Sequence, residues 1–328
     1  MKSNIRKIGV FTSGGDAPGM NAAIRAVVRT CVYYEKTAIG IVSGYDGLLK
    51  GDFKELGARD VSNIIHRGGT ILKSARCQEF RTKEGRAKAY ENVKDAEIDG
   101  LIAIGGNGTF AGAHEFYKEF GVPIIGIPGT IDNDLVGSDY TIGYDTATNT
   151  AVNAIDSIRD TASSHDRLFF IEVMGRDSGF IAVRSALATG AETMLIPEKK
   201  TTIDRLLKIL DYGTNNKKTS SLVVVAEGAN EENTIALKEQ IDARTDNHFD
   251  SKVTILGHLQ RGGKPTCFDR ILASRMGVLA VEGLMEGQED VMVGLINRKV
   301  RFTPLQTAIN GEREIDEELL RVGNILAI

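Results

Sequence analysis

The chain has 328 residues, 42% hydrophobic and 26% charged, with 40 Lys and Arg against 44 Asp and Glu for a formal net charge of −4. This is the composition of a globular chain rather than a disordered one, with room for one large or two medium domains. The acidic balance argues against non-specific nucleic-acid binding, so any anionic ligand must be held by local Arg clusters. Three scattered cysteines, Cys31, Cys77 and Cys267, form no Cys-x-x-Cys pair and give neither a zinc site nor a disulfide framework. The first residues run straight into an apolar strand, and no apolar stretch approaches the length of a membrane span. The expectation is a cytoplasmic protein with reduced thiols and no membrane partner.

In chain order, one pattern recurs. A short apolar run ends in Gly and polar residues, usually with a helical pattern behind it. Ile8-Gly-Val-Phe11 leads to Thr12-Ser-Gly-Gly-Asp16, and a helix over 22–35 follows, with Ile24, Val27, Val28 and Cys31 on one face. Leu101-Ile-Ala-Ile104 leads to Gly105-Gly-Asn-Gly-Thr109. Ile124-Ile-Gly-Ile127 leads to Pro128-Gly-Thr-Ile-Asp-Asn-Asp134. A helix over 146–161 comes next, with Val152, Ile155 and Ile158 along one side. Phe169 to Met174 leads to Gly175-Arg-Asp-Ser-Gly179, Leu222 to Ala226 leads to Glu227-Gly228, and Val253 to Leu256 leads to Gly257-His-Leu-Gln-Arg-Gly-Gly263. Unbroken apolar runs mean strands covered on both faces, and strand–helix alternation means parallel sheets. The fold class is therefore α/β, as two three-layer α/β/α lobes with mainly parallel sheets, facing each other across a cleft. Val136-Gly-Ser-Asp-Tyr140 interrupts the pattern and is the expected boundary.

In parallel sheets ligands bind beyond the carboxyl ends of the strands, which places all six junctions among the site candidates. Two carboxylates flank an amide in Asp132-Asn133-Asp134, just past a strand end, as proton transfer and metal organisation require. Gly14-Gly15-Asp16 and Gly105-Gly106-Asn107-Gly108-Thr109 would let a backbone approach phosphate at a helix start. Neither contains the P-loop Lys or the dinucleotide fingerprint. Either is equally a tight strand-to-helix turn. Arg176 and Arg261 lie within a few residues of strand ends, where a guanidinium fork suits phosphate. His258 is a donor candidate beside Arg261, and Glu227 an acceptor for sugar hydroxyls; each is as readily an ordinary edge residue. Arg25 and Arg29, four apart near a helix start, are either a salt-bridging pair or a grip on a phosphorylated effector.

Taken together, the segments 12–25, 128–134, 174–176 and 257–263 resemble the bacterial ATP-dependent 6-phosphofructokinases, over nearly the whole chain. The resemblance implies transfer of the γ-phosphoryl of ATP to the 1-hydroxyl of fructose 6-phosphate with Mg2+, the committed step of glycolysis, under allosteric control. It implies a homotetramer with a larger ATP-binding lobe, 1–138 with 252–304, and a smaller sugar-phosphate lobe, 139–251 with 305–328. Matched by motif, Asp132 is the general base, Thr130 contacts the transferring phosphoryl, Arg176 stabilises its charge, and Asp134 and the residue at Asn107 organise the metal. Gly15, Arg76, Cys77, Gly106, Asn107, Gly108 and Thr109 match the ATP site. Thr130, Ile131, Asp132, Met174, Gly175, Arg176, Glu227, Lys252, His258, Leu259, Gln260 and Arg261 match the sugar-phosphate site, and Arg167 a residue that reaches into a neighbouring subunit. Arg25, Arg29, Arg159, Glu198 and Lys218 match an effector site for a nucleotide or another phosphorylated ligand.

Gly108 and Gly129 stand where pyrophosphate-using relatives carry Asp and Lys, which points to ATP as donor. Three positions depart from the pattern: Asn107 replaces a usual Asp, Lys252 a usual Arg, and Ala58, beside Arg59, a usual Arg. Asn keeps a carbonyl oxygen but loses charge for a hard cation, and Lys loses the bidentate fork. A catalytically weak regulatory paralogue is the alternative that these departures leave open, and another kinase with a similar glycine loop ranks below it.

Overall fold

A computed structural model describes residues 5–164, 167–215, 221–229, 233–246 and 248–327. The strands in chain order are β1 (Lys7–Thr12), β2 (Thr37–Ile41), β3 (Phe53–Leu56), β4 (Gly100–Gly105), β5 (Ile124–Thr130), β6 (Ile142–Gly143), β7 (Leu168–Val173), β8 (Thr193–Leu195), β9 (Ser221–Ala226), β10 (Ser251–Ile255), β11 (Val291–Ile296) and β12 (Lys299–Pro304). The helices are α1 (Met20–Tyr33), α2 (Tyr45–Lys50), α3 (Lys83–Asp95), α4 (Asn107–Phe120), α5 (Tyr144–Ser163), α6 (Phe180–Thr189), α7 (Ile203–Asn215), α8 (Thr234–Arg244), α9 (Cys267–Glu286), α10 (Leu305–Asn310) and α11 (Glu317–Leu326). No helix among the described residues is long and apolar enough to cross a membrane.

The chain divides into two compact units. The first holds residues up to Ile131, Leu135–Thr146 and Arg261–Arg313; the second holds Asp132–Asp134, Ala147–Gln260 and Glu314–Ile328. Unit 1 carries the larger sheet, ordered β12-β11-β5-β4-β1-β2-β3, with β6 paired to β5. Its inner pairs are parallel, and only the edge pairs β2–β3 and β11–β12 are antiparallel. Ile102 and Ile104 of β4, like Ile125 and Ile127 of β5, are fully buried, as their unbroken apolar runs require. The core on one side of the sheet is aromatic: Tyr45 stacks on Phe80 at 4.0 Å between ring centroids and tilts against Phe11 at 5.0 Å. The apolar face expected on the first helix is present, since Ile24, Val27, Val28 and Cys31 are all fully buried.

Strand order sets where a ligand can enter unit 1. From β1 the chain moves to β2 on one side, and later fills β4 and then β5 on the other. The direction of winding therefore reverses between β1 and β4, and a crevice opens outside the carboxyl ends of strands at such a switch point.

Unit 2 carries a four-stranded parallel sheet, β10-β7-β9-β8. Phe170, Leu195, Val223 and Val225 form its core with Leu206 and Leu210 of α7 and Ile241 of α8. Every pairing in this sheet is parallel, so the carboxyl ends of β7, β9 and β10 share one edge, and the junctions 174–179, 227–228 and 257–261 lie along it.

Candidate functional site

In unit 1 the loops after β1 and β4 pack directly together. Ser13 N donates to Ile104 O at 3.0 Å, and Thr109 Oγ1 donates to Ser13 O at 3.2 Å. A side chain at Gly105 would meet Thr109 Oγ1 at 2.3 Å and Ser13 O at 2.6 Å, so only glycine permits this approach. α4 starts at Asn107, has no acidic residue in its first turn, and leaves Asn107 and Gly108 exposed. Its amino-terminal N–H groups and dipole form a ready anion site. A side chain built at Gly108 meets nothing within 4 Å, whereas one at Gly129 would meet Ile104 Cγ2 at 3.0 Å and Met20 Cε at 3.2 Å.

Thr130, at the end of β5, is buried and lies beside Gly106, where a Cβ would come within 3.5 Å of the Thr130 side chain. The segment leading to Arg76 and Cys77 is tied to β1 through Thr12, whose Oγ1 donates to Lys73 O at 2.7 Å. Arg76 is exposed, and Cys77 rests against the aromatic core.

Arg261 also belongs to unit 1. Its guanidinium is largely buried, donates from Nη1 to Asp16 O at 3.1 Å, and covers Gly15 so closely that a Cβ there would lie 2.5 Å from Nη1. Two residues expected in different subsites, Gly15 for the nucleotide and Arg261 for the sugar phosphate, are thus in contact. The spacing of 246 residues between them hid this from the sequence.

In unit 2 the carboxylate of Asp132 is 5% exposed, and the more open Arg176 places Nε 3.7 Å from Asp132 Oδ2. Arg176 holds φ 53° and Asn133 φ 55°, a region costly for non-glycine residues and found at over-determined sites. Gly175 has φ 145°, and a Cβ there would strike Ser178 O at 2.4 Å. Ser178, a residue with no sequence signal of its own, is the pin of this turn: its hydroxyl bonds to Asp132 O at 3.0 Å and to Gly175 O at 2.9 Å. Arg176 N donates to Glu227 Oε2 at 3.3 Å. The fully buried Gln260 ties the next junction in, accepting from Met174 N at 3.3 Å and donating to Gly257 O at 3.1 Å. Ile131 is fully buried, Asp134 half-buried, and His258 and Leu259 exposed.

Arg167 and Lys252 meet on one carboxylate that the sequence reading missed. Asp250 accepts from Arg167 Nε at 2.7 Å and pairs with Lys252 Nζ at 2.6 Å. Hydrogen bonds from Lys252 and then Arg167 hold its carboxyl below the usual range.

The residues expected to hold an effector are distributed over both units. Arg25 and Arg29 stand on α1, but that helix begins at Met20, so they occupy its second and third turns rather than its start, and the end-of-helix dipole does not act on them. Burial, and then the charge of Arg29, depress the Arg25 guanidinium. Arg159 and Glu198 hold opposite ends of α6. Arg159 Nη2 donates to Thr189 O at 2.5 Å and Gly190 O at 3.1 Å, and Glu198 Oε1 accepts from Gly179 N at 2.9 Å. Lys218 lies outside the described residues.

Among the described residues no cluster of three or more His, Cys, Asp or Glu could cage a metal ion. Asp134, in unit 2, carries a carboxylate and Asn107, in unit 1, an amide oxygen. Each is the kind of donor from which a hard cation such as Mg2+ takes one or two protein oxygens while keeping water.

The phosphofructokinase family model matches residues 7–284. An ATP-dependent 6-phosphofructokinase of Cytophaga hutchinsonii is 54% identical over 322 residues, 98% of each chain. ATP-dependent 6-phosphofructokinase 1 of Thermus thermophilus is 54% identical over 324 residues, 99% of this chain and all of that one. Among solved structures, Pichia pastoris phosphofructokinase in the T-state matches with a TM-score of 0.88 and 38% identity over 94% of this chain, which spans 36% of that chain's length. A pyrophosphate-dependent phosphofructokinase from Marinobacter aquaeolei matches with a TM-score of 0.84 over 99% of this chain and 92% of that one; at 21% identity it speaks for the fold alone. The chain belongs to the phosphofructokinase family.

Proposed function

We propose that the protein transfers the γ-phosphoryl group of ATP to the 1-hydroxyl of fructose 6-phosphate, giving fructose 1,6-bisphosphate and ADP. The observation that carries this reading is the buried Asp132 carboxylate, two residues past β5 in the chain, paired at 3.7 Å with the Arg176 guanidinium. The relatives named ATP-dependent 6-phosphofructokinase, matched over almost their full length, supply the substrate identities.

In this reading Asp132 takes the proton of the attacking hydroxyl, a role typically worth about 10²- to 10⁴-fold. Its neighbour Arg176 turns from the carboxylate toward the charge on the transferring phosphoryl, where most of the protein's contribution to this reaction lies. Thr130 contacts that phosphoryl from the end of β5. The α4 start, with Gly106, Asn107, Gly108 and Thr109, holds the donor's phosphates, and Arg76 and Cys77 line the nucleotide. Asp134 and the Asn107 oxygen would hold Mg2+ from the protein side, and it would supply neutralisation of the phosphate charge.

Glu227, Met174, Gly175, His258 and Arg261 take the sugar phosphate, with Arg167 and Lys252 grouped on Asp250. Arg167 is assigned to the sugar phosphate of a neighbouring subunit in a homotetramer. We further propose a cytoplasmic location and an effector site for a phosphorylated ligand built from Arg25, Arg29, Arg159, Glu198 and Lys218. The open space at Gly108 favours a donor larger than pyrophosphate, because a carboxylate there would crowd the α-phosphate. Phosphorus NMR of the product of ATP and fructose 6-phosphate is expected to show a new phosphomonoester on carbon 1. A phosphate released only to water would defeat the proposal.

A further inference from the structure

Asp269 is fully buried, in the first turn of α9, and has no part in the chemistry above. Thr266 caps this helix, and its Oγ1 accepts from Asp269 N at 3.2 Å. Thr266-x-x-Asp269 has the spacing of a capping box, in which the carboxylate should return to the N–H of its own cap residue. It does not. Thr266 N donates to Thr146 Oγ1 at 3.0 Å instead. The Asp269 carboxylate is given to the start of α5: Oδ1 accepts from Gly143 N at 3.0 Å, and Oδ2 accepts from Thr146 N at 2.9 Å and from Thr146 Oγ1 at 2.5 Å. Thr266 Oγ1 completes the exchange by donating to Asp145 Oδ2 at 2.7 Å. Each helix start thus supplies caps to the other.

Both sides of this exchange run into the site. Gly143 and Ile142 form β6, in parallel register with Thr130 and Gly129 of β5, and Thr141 Oγ1 donates to Thr130 O at 2.6 Å. On the other side, Arg261 lies five residues before Thr266, held against Gly15 and Asp16. We infer that Asp269, with Thr146 and Thr266, is a positioning cluster that fixes Thr130 in register with Arg261. The inference rests on the phosphoryl-transfer reading, which gives those two residues their tasks. Burial pushes the Asp269 carboxyl up to about 6, against the pull of its hydrogen bonds. A neutral side chain would avoid that desolvation, so packing alone gives no reason for a carboxylate here.

The test measures initial rates and melting temperatures for the wild type, Asp269→Asn, Thr146→Val and Thr146→Ser. Asp269→Asn keeps the size but turns an amide donor toward an N–H; Thr146→Val removes the hydroxyl that joins the two helix starts. For the folded fraction of each, kcat is expected to fall and the KM for fructose 6-phosphate to rise, lowering kcat/KM for the sugar by about tenfold or more, since small misplacements of reacting groups cost that much. The KM for ATP changes several-fold less than that for the sugar, because Asp269, Thr146 and Thr266 hydrogen-bond to one another and to Gly143 and Asp145, not to the α4 start, and Thr146→Ser restores wild-type values. A merely structural role would lower the melting temperature and the active fraction while leaving both KM values and kcat per folded molecule unchanged, and that result overturns the inference. If Asp269→Asn does not fold, Thr146→Val alone decides. A wild type inactive with ATP and fructose 6-phosphate defeats the underlying reading as well; an active wild type with kinetically unchanged variants defeats only the positioning claim.

Discussion

Replacing Gly15 with Ala separates two accounts of that residue. By family resemblance Gly15 belongs to the ATP site, but in the structure it is covered by Arg261. The added methyl would lie 2.5 Å from Arg261 Nη1, 3.0 Å from Cζ and 3.3 Å from Nη2. Ordinary non-bonded contact needs about 3.5 Å or more, so the guanidinium must retreat by roughly 1 Å. It is only 9% exposed and holds Asp16 O at 3.1 Å, so a retreat of that size breaks the bond. A hydrogen bond from a charged group contributes about 1.5–3 kcal/mol, or roughly 10- to 150-fold in an equilibrium or rate ratio. If Arg261 holds the sugar phosphate, Gly15→Ala lowers kcat/KM for fructose 6-phosphate by that factor, mostly through KM. The assay is a two-substrate initial-rate study with a melting curve on the same preparation. A variant impaired only in KM for ATP, with fructose 6-phosphate kinetics unchanged, would refute the reasoning and return Gly15 to the nucleotide site alone.

Other outcomes follow from the same geometry. Asp132→Asn removes the proposed base and is expected to cut kcat by about 10²- to 10⁴-fold with little change in either KM, measured at saturating substrates; a loss below threefold would argue against Asp132 as the base. Asn107→Asp restores a carboxylate for a hard cation and should lower the Mg2+ concentration that gives half-maximal rate, read from a Mg2+ titration at fixed ATP, and an unchanged or raised half-point speaks against metal contact there. Asp269 makes a prediction for stability alone. Its folded carboxyl is raised from the ordinary 3.8 to about 6, so the folded state binds this proton more tightly than the unfolded one. The stabilisation is therefore full below pH 4 and lost as pH rises through about 6, to the extent of roughly 3 kcal/mol. Denaturant titrations from pH 4 to 7 should show the wild type losing stability relative to Asp269→Asn by about that amount; parallel curves would contradict it.

Much of the fold was legible because it depends on local features. All six apolar runs singled out in the sequence fall on strands, most of them covered on both faces and so apolar, while β10 is a sheet edge whose Ile255 is half exposed. The antiparallel edges were not legible. β3, Phe53-Lys-Glu-Leu56, has charges in its centre, and β11 and β12 are joined by Asn297 and Arg298 at φ 50° and 67°, a two-residue turn without the glycine that usually marks one. In the site, the segment around Asp132 showed itself because its acids are adjacent in sequence. The contact of Gly15 with Arg261, the bridging of Arg167 and Lys252 by Asp250, and the exchange of caps between α5 and α9 did not. Each joins residues far apart in the chain, and Asp250, Thr146, Thr266 and Asp269 read alone carry no signal of such a role. The Thr266–Asp269 spacing is that of a capping box, and nothing in such a spacing says that the carboxylate serves a different helix.

The central claim is that this site moves a phosphoryl group from ATP, rather than from pyrophosphate, to fructose 6-phosphate. The most direct test is a donor comparison: production of fructose 1,6-bisphosphate with ATP, GTP or pyrophosphate at matched concentrations and fixed Mg2+. The account predicts sustained turnover with ATP and a kcat/KM for ATP at least about 100-fold above that for pyrophosphate, a difference of roughly 2.7 kcal/mol in transition-state stabilisation. Turnover that prefers pyrophosphate, or none with any donor, would contradict it.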